Sequence, residues 1–195
     1  NKETEYEIID TGIFDQNEYF DIFIEYAKIH HDDILIRVTV TNRNTEKAPL
    51  VILPTLWYRN NWSWGYNSYK PNFTTRHRGQ IEIEHESLGM KKLYSRDKSV
   101  KILFCENETN TEKIFGKKSE NKYFKDGINH HVVHHKNTVN PKKFVTKAAF
   151  VIDTELEGGE TKTFDFRMSP HKMENAFFDF DEVFEVRKKE SDEFY

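Results

Sequence analysis

Strict alternation of apolar and polar residues early in the chain predicts two β-strands, over residues 18–29 and 33–42. Side chains two residues apart lie on one face of a strand, so this period is typical of strands with one buried face. The polar stretch between the two segments is short enough for a hairpin loop. We therefore predict an antiparallel hairpin with a buried face led by Ile22, Ile24, Ile36 and Val38.

Further segments rich in β-branched and aromatic residues predict additional strands. They cover residues 50–58, 80–86, 91–95, 100–104, 144–156 and 161–168. Pro54 predicts a bulge or a local edge in the first of them, because proline cannot donate a hydrogen bond to a neighbouring strand. Gly158 and Gly159 separate the last two segments and predict a tight hairpin turn.

Helical patterns are confined to two segments. We predict a short helix at residues 121–126 and a longer one from about Asp179 to the end of the chain, with Phe180, Val183 and Phe184 on one stripe. Many antiparallel strands with few helices predict a mainly β fold. The expected architecture is a large two-sheet antiparallel β-sandwich with one or two short helices and a C-terminal helix.

The amino-acid composition excludes several classes of protein and of binding partner. The 195 residues are 36% hydrophobic and 32% charged, but 16 Phe, 9 Tyr and 3 Trp supply enough large rings for a core. A net charge of −4 argues against a general nucleic-acid binder. No apolar run is long enough to span a membrane. The single cysteine, Cys105, excludes an internal disulfide and a cysteine-rich zinc site.

Both ends of the sequence look cut. The chain opens at Asn1 without methionine, and Tyr195 falls within the last predicted helix. We therefore expect a domain from a longer protein. No apolar signal segment is visible, which favours a cytoplasmic location, although the apparent truncation at Asn1 leaves that location open.

The most distinctive stretch holds all three tryptophans within eight residues, where a predicted strand runs into a loop. Its candidate sugar-facing or domain-interface residues are Trp57, Arg59, Asn60, Trp62 and Trp64. Tryptophan rings stack on the apolar faces of sugars or partners, and Arg and Asn supply directional hydrogen bonds. The alternative is that Trp57 belongs to the core and that the other two rings lock the loop or a domain interface.

The spacing of Trp62 and Trp64 favours an exposed rim. Polar Asn61 and Ser63 alternate with them, and a polar residue at every second position makes a poor core. We therefore expect alanine at either tryptophan to cost the isolated domain about 1 kcal/mol or less.

Neither the histidine-rich segment nor the acidic residues identify a metal or catalytic site. His130, His131, His134 and His135 could form i, i+4 pairs on a helix, but Val132 and Val133 favour a strand or loop. We expect no metal there. Glycoside hydrolysis needs two facing carboxyl groups, which cannot be picked from 33 acidic residues. No nucleotide- or cofactor-binding motif is present, so we assign no catalytic residue and expect no cofactor.

Short blocks distributed along nearly the whole chain resemble, in the same order, the prokaryotic relatives of mannosyl-oligosaccharide glucosidase. The blocks are Tyr19–Asp21, Glu25–Lys28, Asp33–Arg37, Val40–Arg43, Leu53–Asn60, Trp62–Gly65, Asp126–Asn129, Val132–His134, Val139–Pro141, Thr146–Ala149, Gly158–Thr161 and Glu190–Tyr195.

The resemblance implies a glycoside hydrolase of the family 63 type. Such enzymes join an N-terminal β-supersandwich to a C-terminal (α/α) toroid, which carries an inverting acid and base pair. Residues 1–178 would be the sandwich, and residues 179–195 would start a linker helix toward the missing toroid. None of that family's catalytic residues maps onto this chain. The implied partner is therefore the catalytic domain of the same parent protein, and an oligosaccharide is a second candidate partner.

Three functions follow as hypotheses. The leading one is a non-catalytic domain that braces a glucosidase-like toroid and brings the tryptophan loop near the mouth of the active site. The second is a self-sufficient epimerase, which would need a carboxylate and one of His77, His85 or His134 in one cleft. The third is a stand-alone carbohydrate-binding module. A His and a Glu that converge in one cleft would favour the epimerase. Exposed coplanar rings would favour the carbohydrate-binding module. A broad apolar face that nothing covers would favour the domain of a longer protein.

Overall fold

The computed structural model describes residues 4–65, 69–119, 121–142 and 145–195, and two antiparallel sheets dominate it. The larger sheet has the strand order β1-β2-β10-β7-β6-β5, and the smaller sheet contains β3, β9, β4 and β8. The strands are β1 (Phe20–His30), β2 (Asp33–Asn42), β3 (Ala48–Ile52), β4 (Thr55–Trp57), β5 (Asn72–Thr74), β6 (Gln80–His85), β7 (Gly89–Ser95), β8 (Lys101–Cys105), β9 (Lys147–Leu156) and β10 (Thr161–Ser169). The helices are a 3-10 turn (Ile8–Thr11), α1 (Thr111–Phe115), α2 (Gly127–His134) and α3 (Phe180–Phe194). The predicted β-sandwich is confirmed.

The predicted N-terminal hairpin is also confirmed. β1 and β2 pair antiparallel, with Ile24 opposite Val38 and Tyr26 opposite Ile36. The even-numbered residues of both strands therefore share the face that looks toward the smaller sheet. Val38 and Val40 on this face are 6% and 0% exposed and belong to the main core.

The main core lies between the two sheets. Phe166 of β10 stacks on Phe150 of β9 with ring centroids 5.8 Å apart, and Phe104 of β8 lies in the same cluster. All three rings are almost fully buried. Burial of such rings is the main favourable contribution to the stability of a sandwich.

The prediction that Ile22 and Ile24 are buried is wrong. They are 52% and 54% exposed, although they point to the same side as Val38 and Val40. The smaller sheet is narrower than the larger one, and of the β1 residues Phe20 packs against the main core. β1 is an edge strand that extends beyond the cover of the second layer.

We expect the different burial of β1 and β2 to show when one isoleucine of each strand is replaced by alanine. Ile36 packs against the main core but is only partly buried, so Ile36→Ala should cost about 2 kcal/mol, at the low end of core truncations. Ile24→Ala should cost less than about 1 kcal/mol, because a half-exposed side chain leaves little cavity. Urea unfolding of both variants would check this. Equal losses in the free energy of unfolding would show that Ile24 of β1 is as well packed as Ile36.

The predicted strand over residues 50–58 is interrupted. β3 and β4 both pair with β9, and the break between them falls at Leu53 and Pro54. The carbonyl of Pro54 accepts a hydrogen bond from Phe150 N at 3.1 Å, so the ladder continues past the irregularity. The predicted bulge is wrong, because Ile52 faces Ile152 and Thr55 faces Ala149, so the register is the same on both sides of the proline and the ladder is only interrupted.

The prediction of a hairpin at Gly158 and Gly159 is wrong, although both flanking strands exist. β9 belongs to the smaller sheet and β10 to the larger one, so the turn connects two layers. A Cβ on Gly158 would lie 2.0 Å from the Thr45 carbonyl oxygen, and the Asn42 amide donates to the carbonyls of Leu156 and Glu157 at 3.1 and 3.2 Å. These contacts with the end of β2 direct the chain across the sandwich. Phe144, where the predicted strand began, lies outside the described residues.

The predicted helix at residues 121–126 is also wrong, because the helix in this region, α2, begins at Gly127. A Cβ on Gly127 would lie 2.3 Å from the Thr138 carbonyl oxygen. Ile128 is buried beside Cys105 and Ala149, and Val132 packs against the same cluster. This tertiary contact forms the helix where local propensity did not indicate one.

The predicted C-terminal helix is confirmed as α3, and its first turns pack on the outer face of the larger sheet. Phe180 and Phe184 are buried there against Ala27 and Leu35. Toward its end the helix is exposed, with Phe194 81% accessible. A role as a linker to another domain stays a prediction.

A buried ion-pair network lies under the start of α3. Arg167 of β10 is 2% exposed and binds both carboxylate oxygens of Asp33 at 2.8 Å. It also donates to Asp179 Oδ1 at 2.7 Å and to the Ala176 carbonyl at 3.0 Å. One guanidinium therefore joins β2, β10 and the segment that leads into α3.

Candidate functional site

The tryptophan loop, residues 57–65, starts at the last residue of β4 and precedes the segment that leads to β5. Trp57, at the end of β4, is 58% exposed, so the alternative that placed it in the core is wrong. Trp64 is 65% exposed. Arg59 is also exposed, and among the described residues its guanidinium has no hydrogen-bond or ion-pair partner.

Trp62, in contrast, is buried beneath the loop and is 9% exposed. Its Nε1–H donates to Glu108 Oε1 at 2.9 Å, and Lys70 Nζ lies 2.6 Å from the same oxygen. The expectation that Trp62 is a surface ring is therefore wrong. Alternation with polar residues failed as a guide because the loop is not extended, so successive side chains do not alternate between two faces.

The Glu108 carboxylate anchors this contact in its charged form. Burial pushes the pKa of Glu108 up, but the hydrogen bonds from Lys70 and Trp62 outweigh burial and hold the pKa below its ordinary value. The stabilisation from this carboxylate is therefore present above its unfolded-state pKa and is lost as the pH falls through its folded-state pKa.

Asn60 locks the loop from within. Its Nδ2 donates to the Asn107 carbonyl at 2.8 Å, and its Oδ1 accepts hydrogen bonds from Ser63 N and Ser63 Oγ at 3.1 and 3.0 Å. Asn107 in turn donates to the Tyr58 carbonyl at 2.8 Å. Asn60 is thus a structural residue of the loop.

The structure divides the five candidate residues into two groups. Trp62 and Asn60 hold the loop, while Trp57, Arg59 and Trp64 are presented to solvent. The alternative that the rings are structural therefore holds for Trp62 alone, and a sugar-facing or interface role of the exposed residues stays a prediction. The result is a fixed loop that exposes two large rings and one cation.

Beside the loop is a cleft of about 320 Å³ whose aromatic wall the sequence did not reveal. His85, at the end of β6, lies between Tyr58 and Tyr69, with ring centroids 4.4 and 5.6 Å away. His85 Nδ1 lies 3.3 Å from Ser87 N, within hydrogen-bond distance. No local pattern indicates this cluster, because Tyr69 and His85 meet at one end of the β5–β6 hairpin and Tyr58 reaches them from the residues after β4.

Of the three candidate histidines of the epimerase hypothesis, His85 lines this cleft together with the carboxylate residue Glu86, whereas the other two lie elsewhere. His77 lies in the turn before β6 and His85 at the far end of this strand, which spans about 17–20 Å. His134 lies on α2, which packs against β8 of the other sheet.

The histidine-rich segment forms helix α2, so the expectation that its valines favour a strand or loop is wrong. The rings of His130 and His134 are neighbours at 5.6 Å. His130 Nε2 lies 3.3 Å from Asp126 Oδ2, and His131 Nδ1 is 2.9 Å from the Lys136 carbonyl oxygen. In the described parts of the chain, no three His, Cys, Asp or Glu residues are grouped as a metal site would require.

We expect chelation to leave the melting temperature unchanged, because two neighbouring histidines do not supply the three or four ligands of a zinc site. Calorimetry with and without EDTA would check this. A fall in the melting temperature that zinc reverses would contradict it, since removing a bound metal destabilises the fold that holds it.

Comparison with known proteins adds one relative. No family model matches the chain. It is 27% identical to Uncharacterized protein YMR196W of Saccharomyces cerevisiae in an alignment of 220 residues, which covers 92% of this chain and 20% of the yeast protein. The chain therefore spans about 20% of the length of the relative that it matches. No described helix has the length and apolar character needed to cross a membrane.

Proposed function

We propose that this chain is a non-catalytic β-sandwich domain of a glucosidase-like glycoside hydrolase and that it braces the catalytic domain through the tryptophan loop. The observation that carries the proposal is the exposure of Trp57 and Trp64 beside Arg59, on a loop whose conformation is fixed from below by Asn60 and Trp62. The contact surface is therefore preorganised.

The chemistry of this loop fits a protein interface. Tryptophan and arginine are the residue types most enriched among interface hot spots. A rigid loop loses little conformational entropy when it docks, which improves affinity for a given contact area. Within the part of the chain that the structure describes, Arg59 has no hydrogen-bond or ion-pair partner to give up on binding.

Two further observations support a role within a larger protein. The yeast relative matches 92% of this chain with only 20% of its own length, so a comparable domain can occur inside a much longer polypeptide. The sandwich fold also fits the supersandwich that the sequence resemblance implies. The epimerase alternative keeps one observation in its favour, because His85 and Glu86 line the same cleft.

A carbohydrate-binding module is the second candidate, favoured by the cleft beside the loop. Tyr58, Tyr69 and His85 form its aromatic wall, and Arg59 and Asn61 also line it. A sugar ring could stack on such a wall and bond to the polar side chains. Saturable binding of glucose oligosaccharides by the isolated chain would favour this candidate over domain bracing.

The isolated chain should not hydrolyse aryl glucosides or glucose-terminated oligosaccharides, because we assign both catalytic carboxyl groups to the missing domain. Product release by the isolated chain and by the parent protein would be compared in the same assay, with the parent expected to be active. Turnover by the isolated chain that one acid-to-amide substitution abolishes would refute the proposal.

In the parent protein, Trp64→Ala should weaken docking of the two domains by about thirtyfold, the effect of a hot-spot residue worth about 2 kcal/mol. Docking would be measured by titrating the separately produced catalytic domain with this chain. Phe178→Ala is the matched control, because Phe178 is 72% exposed but lies next to α3, away from the loop. Equal effects of both variants would contradict the role of the loop.

A further inference from the structure

The segment between β8 and β9, residues 106–146, forms a second surface that the proposed function does not use. We call it the β8–β9 insertion. It contains α1 and α2 and packs on the outer face of the smaller sheet, where Ile128 is buried beside Cys105 and Ala149. Its first residues anchor the tryptophan loop, but its two helices present other side chains to solvent.

Positive charge is concentrated in this insertion. Residues 113–146 contain eight lysines, no arginine and two acidic residues, which give a net charge of +6. The remaining 21 basic and 31 acidic residues of the chain give −10. The net charge of −4 conceals this asymmetry, which is typical of a protein with a local surface for an anionic partner.

The lysines of the insertion are not neutralised within the chain. Lys113 Nζ lies 3.7 Å from Asp126 Oδ2, and His130 Nε2 lies 3.3 Å from the same oxygen. Glu112, in the first turn of α1, is exposed and offsets one positive charge. Within the part of the chain that the structure describes, six exposed lysines of the insertion have no carboxylate partner: Lys117, Lys118, Lys122, Lys125, Lys136 and Lys142.

The C-terminal end of α1 adds an exposed apolar pair to this charge. Ile114 and Phe115 are 59% and 65% exposed. Asn110 Oδ1 accepts a hydrogen bond from Lys113 N at 3.0 Å at the start of the helix, and Gly116 ends it with a left-handed φ of 67°. The result is a fixed α1 tip, residues 113–118, in which the two apolar side chains are flanked by Lys113, Lys117 and Lys118.

We propose that the α1 tip binds the surface of a bilayer that contains anionic lipids. Ile114 and Phe115 insert among the lipid head groups, and the lysines of the insertion lie over the negative charge of the lipids. Interfacial membrane elements combine apolar side chains with lysine in this way. Each lysine near such a surface strengthens binding about fivefold.

The absence of arginine from residues 113–146 favours a lipid surface over a protein or a nucleic acid. Protein interfaces are enriched in arginine and depleted in lysine. Arginine is also the residue that binds phosphates and bases through two parallel hydrogen bonds. Lysine is a point charge on a flexible stem, which suits a fluid array of head groups without fixed geometry.

The acidic remainder of the chain does not prevent this contact. Salt screens charges beyond about 8 Å at physiological ionic strength, so the membrane interacts mainly with the nearest side chains. A single patch of this kind gives weak and reversible attachment, because stable anchoring needs a second signal.

Flotation with vesicles tests the proposal. The chain should float with vesicles of phosphatidylserine and phosphatidylcholine but not with vesicles of phosphatidylcholine alone. Binding should weaken as the salt concentration rises. A chain that fails to float with the phosphatidylserine vesicles at low salt, or that floats equally with both kinds, would overturn the proposal.

Two double variants separate the α1 tip from the total charge. Lys117→Ala with Lys118→Ala should lower the affinity for phosphatidylserine vesicles about twenty-five-fold. Lys98→Ala with Lys172→Ala is the matched control, because both lysines are exposed outside the insertion and the net charge changes equally. The control should change the affinity by less than about twofold. Equal losses of affinity in the two double variants would overturn the assignment to the tip.

Phe115→Ala tests insertion of the ring. It should weaken vesicle binding roughly tenfold, whereas Phe178→Ala, at a 72% exposed position next to α3, should leave binding unchanged. Phe115→Ala should also leave docking of the catalytic domain on the tryptophan loop unchanged, so each of the two proposals can fail alone. Unchanged vesicle binding by Phe115→Ala, or tighter binding of a single-stranded oligonucleotide than of the vesicles, would overturn the lipid assignment.

Discussion

Arg167→Ala is expected to lower the free energy of unfolding by about 3–5 kcal/mol, because it leaves a buried carboxylate without its partner. Asp33 is 3% exposed, and both of its oxygens are bound by the Arg167 guanidinium at 2.8 Å. An isolated charge in such a place is strongly disfavoured. Loss of the bond to Asp179 should also loosen the start of α3. Urea unfolding followed by circular dichroism would measure the change.

Two further variants separate the ion pair from a general surface effect. Arg187→Ala, on the exposed face of α3, removes a surface ion pair with Glu190 and should cost less than about 0.5 kcal/mol. The double variant Arg167→Met with Asp33→Leu should recover much of the loss, because apolar residues of similar volume often replace a buried pair without penalty. A loss below about 1 kcal/mol for Arg167→Ala would show that Asp33 is hydrated once the guanidinium is gone.

Trp62→Ala is expected to cost the isolated chain about 3–5 kcal/mol, the usual range for deleting a buried large ring. The substitution opens a cavity below the tryptophan loop and removes the Nε1–H donor from Glu108 Oε1. Trp62→Phe keeps a ring but loses this hydrogen bond, so an intermediate loss is expected. Thermal and urea unfolding of both variants would give the values.

Trp64→Ala is the matched control for this prediction. Its side chain is 65% exposed, so removal should cost the isolated chain about 1 kcal/mol or less. The two tryptophans would then differ by severalfold in stability, while only Trp64 is expected to matter for docking. Similar losses in the free energy of unfolding at both positions would contradict the assignment of Trp62 as a structural residue and Trp64 as a contact residue.

The candidate site was only half visible in the sequence. The cluster of tryptophans indicated where a binding loop should be, and the exposed Trp57, Arg59 and Trp64 agree with that location. Which ring points outward depends on contacts with Asn107 and Glu108, which lie far away in the sequence. The aromatic wall of Tyr58, Tyr69 and His85 depends in the same way on the β5–β6 hairpin and on the residues after β4.

By itself the sequence determined the elements with a strong local period. Alternation specified the β1–β2 hairpin and its faces, and an apolar stripe at helical spacing specified α3, because both patterns are set by backbone geometry within a few residues. Periodicity states which side chains share a face, but it does not state what covers that face.

Only the tertiary structure decided which side chains are buried and which sheets a turn connects. Ile24 and Val38 lie on one face, yet the narrower second sheet covers Val38 and leaves Ile24 exposed. The turn at Gly158 crosses between the sheets because the backbone of Thr45 approaches it too closely for a side chain. Helix α2 likewise forms where Gly127 meets Thr138. Each outcome depends on atoms that are distant in sequence, and the free energy of packing them outweighs the local preference of the chain.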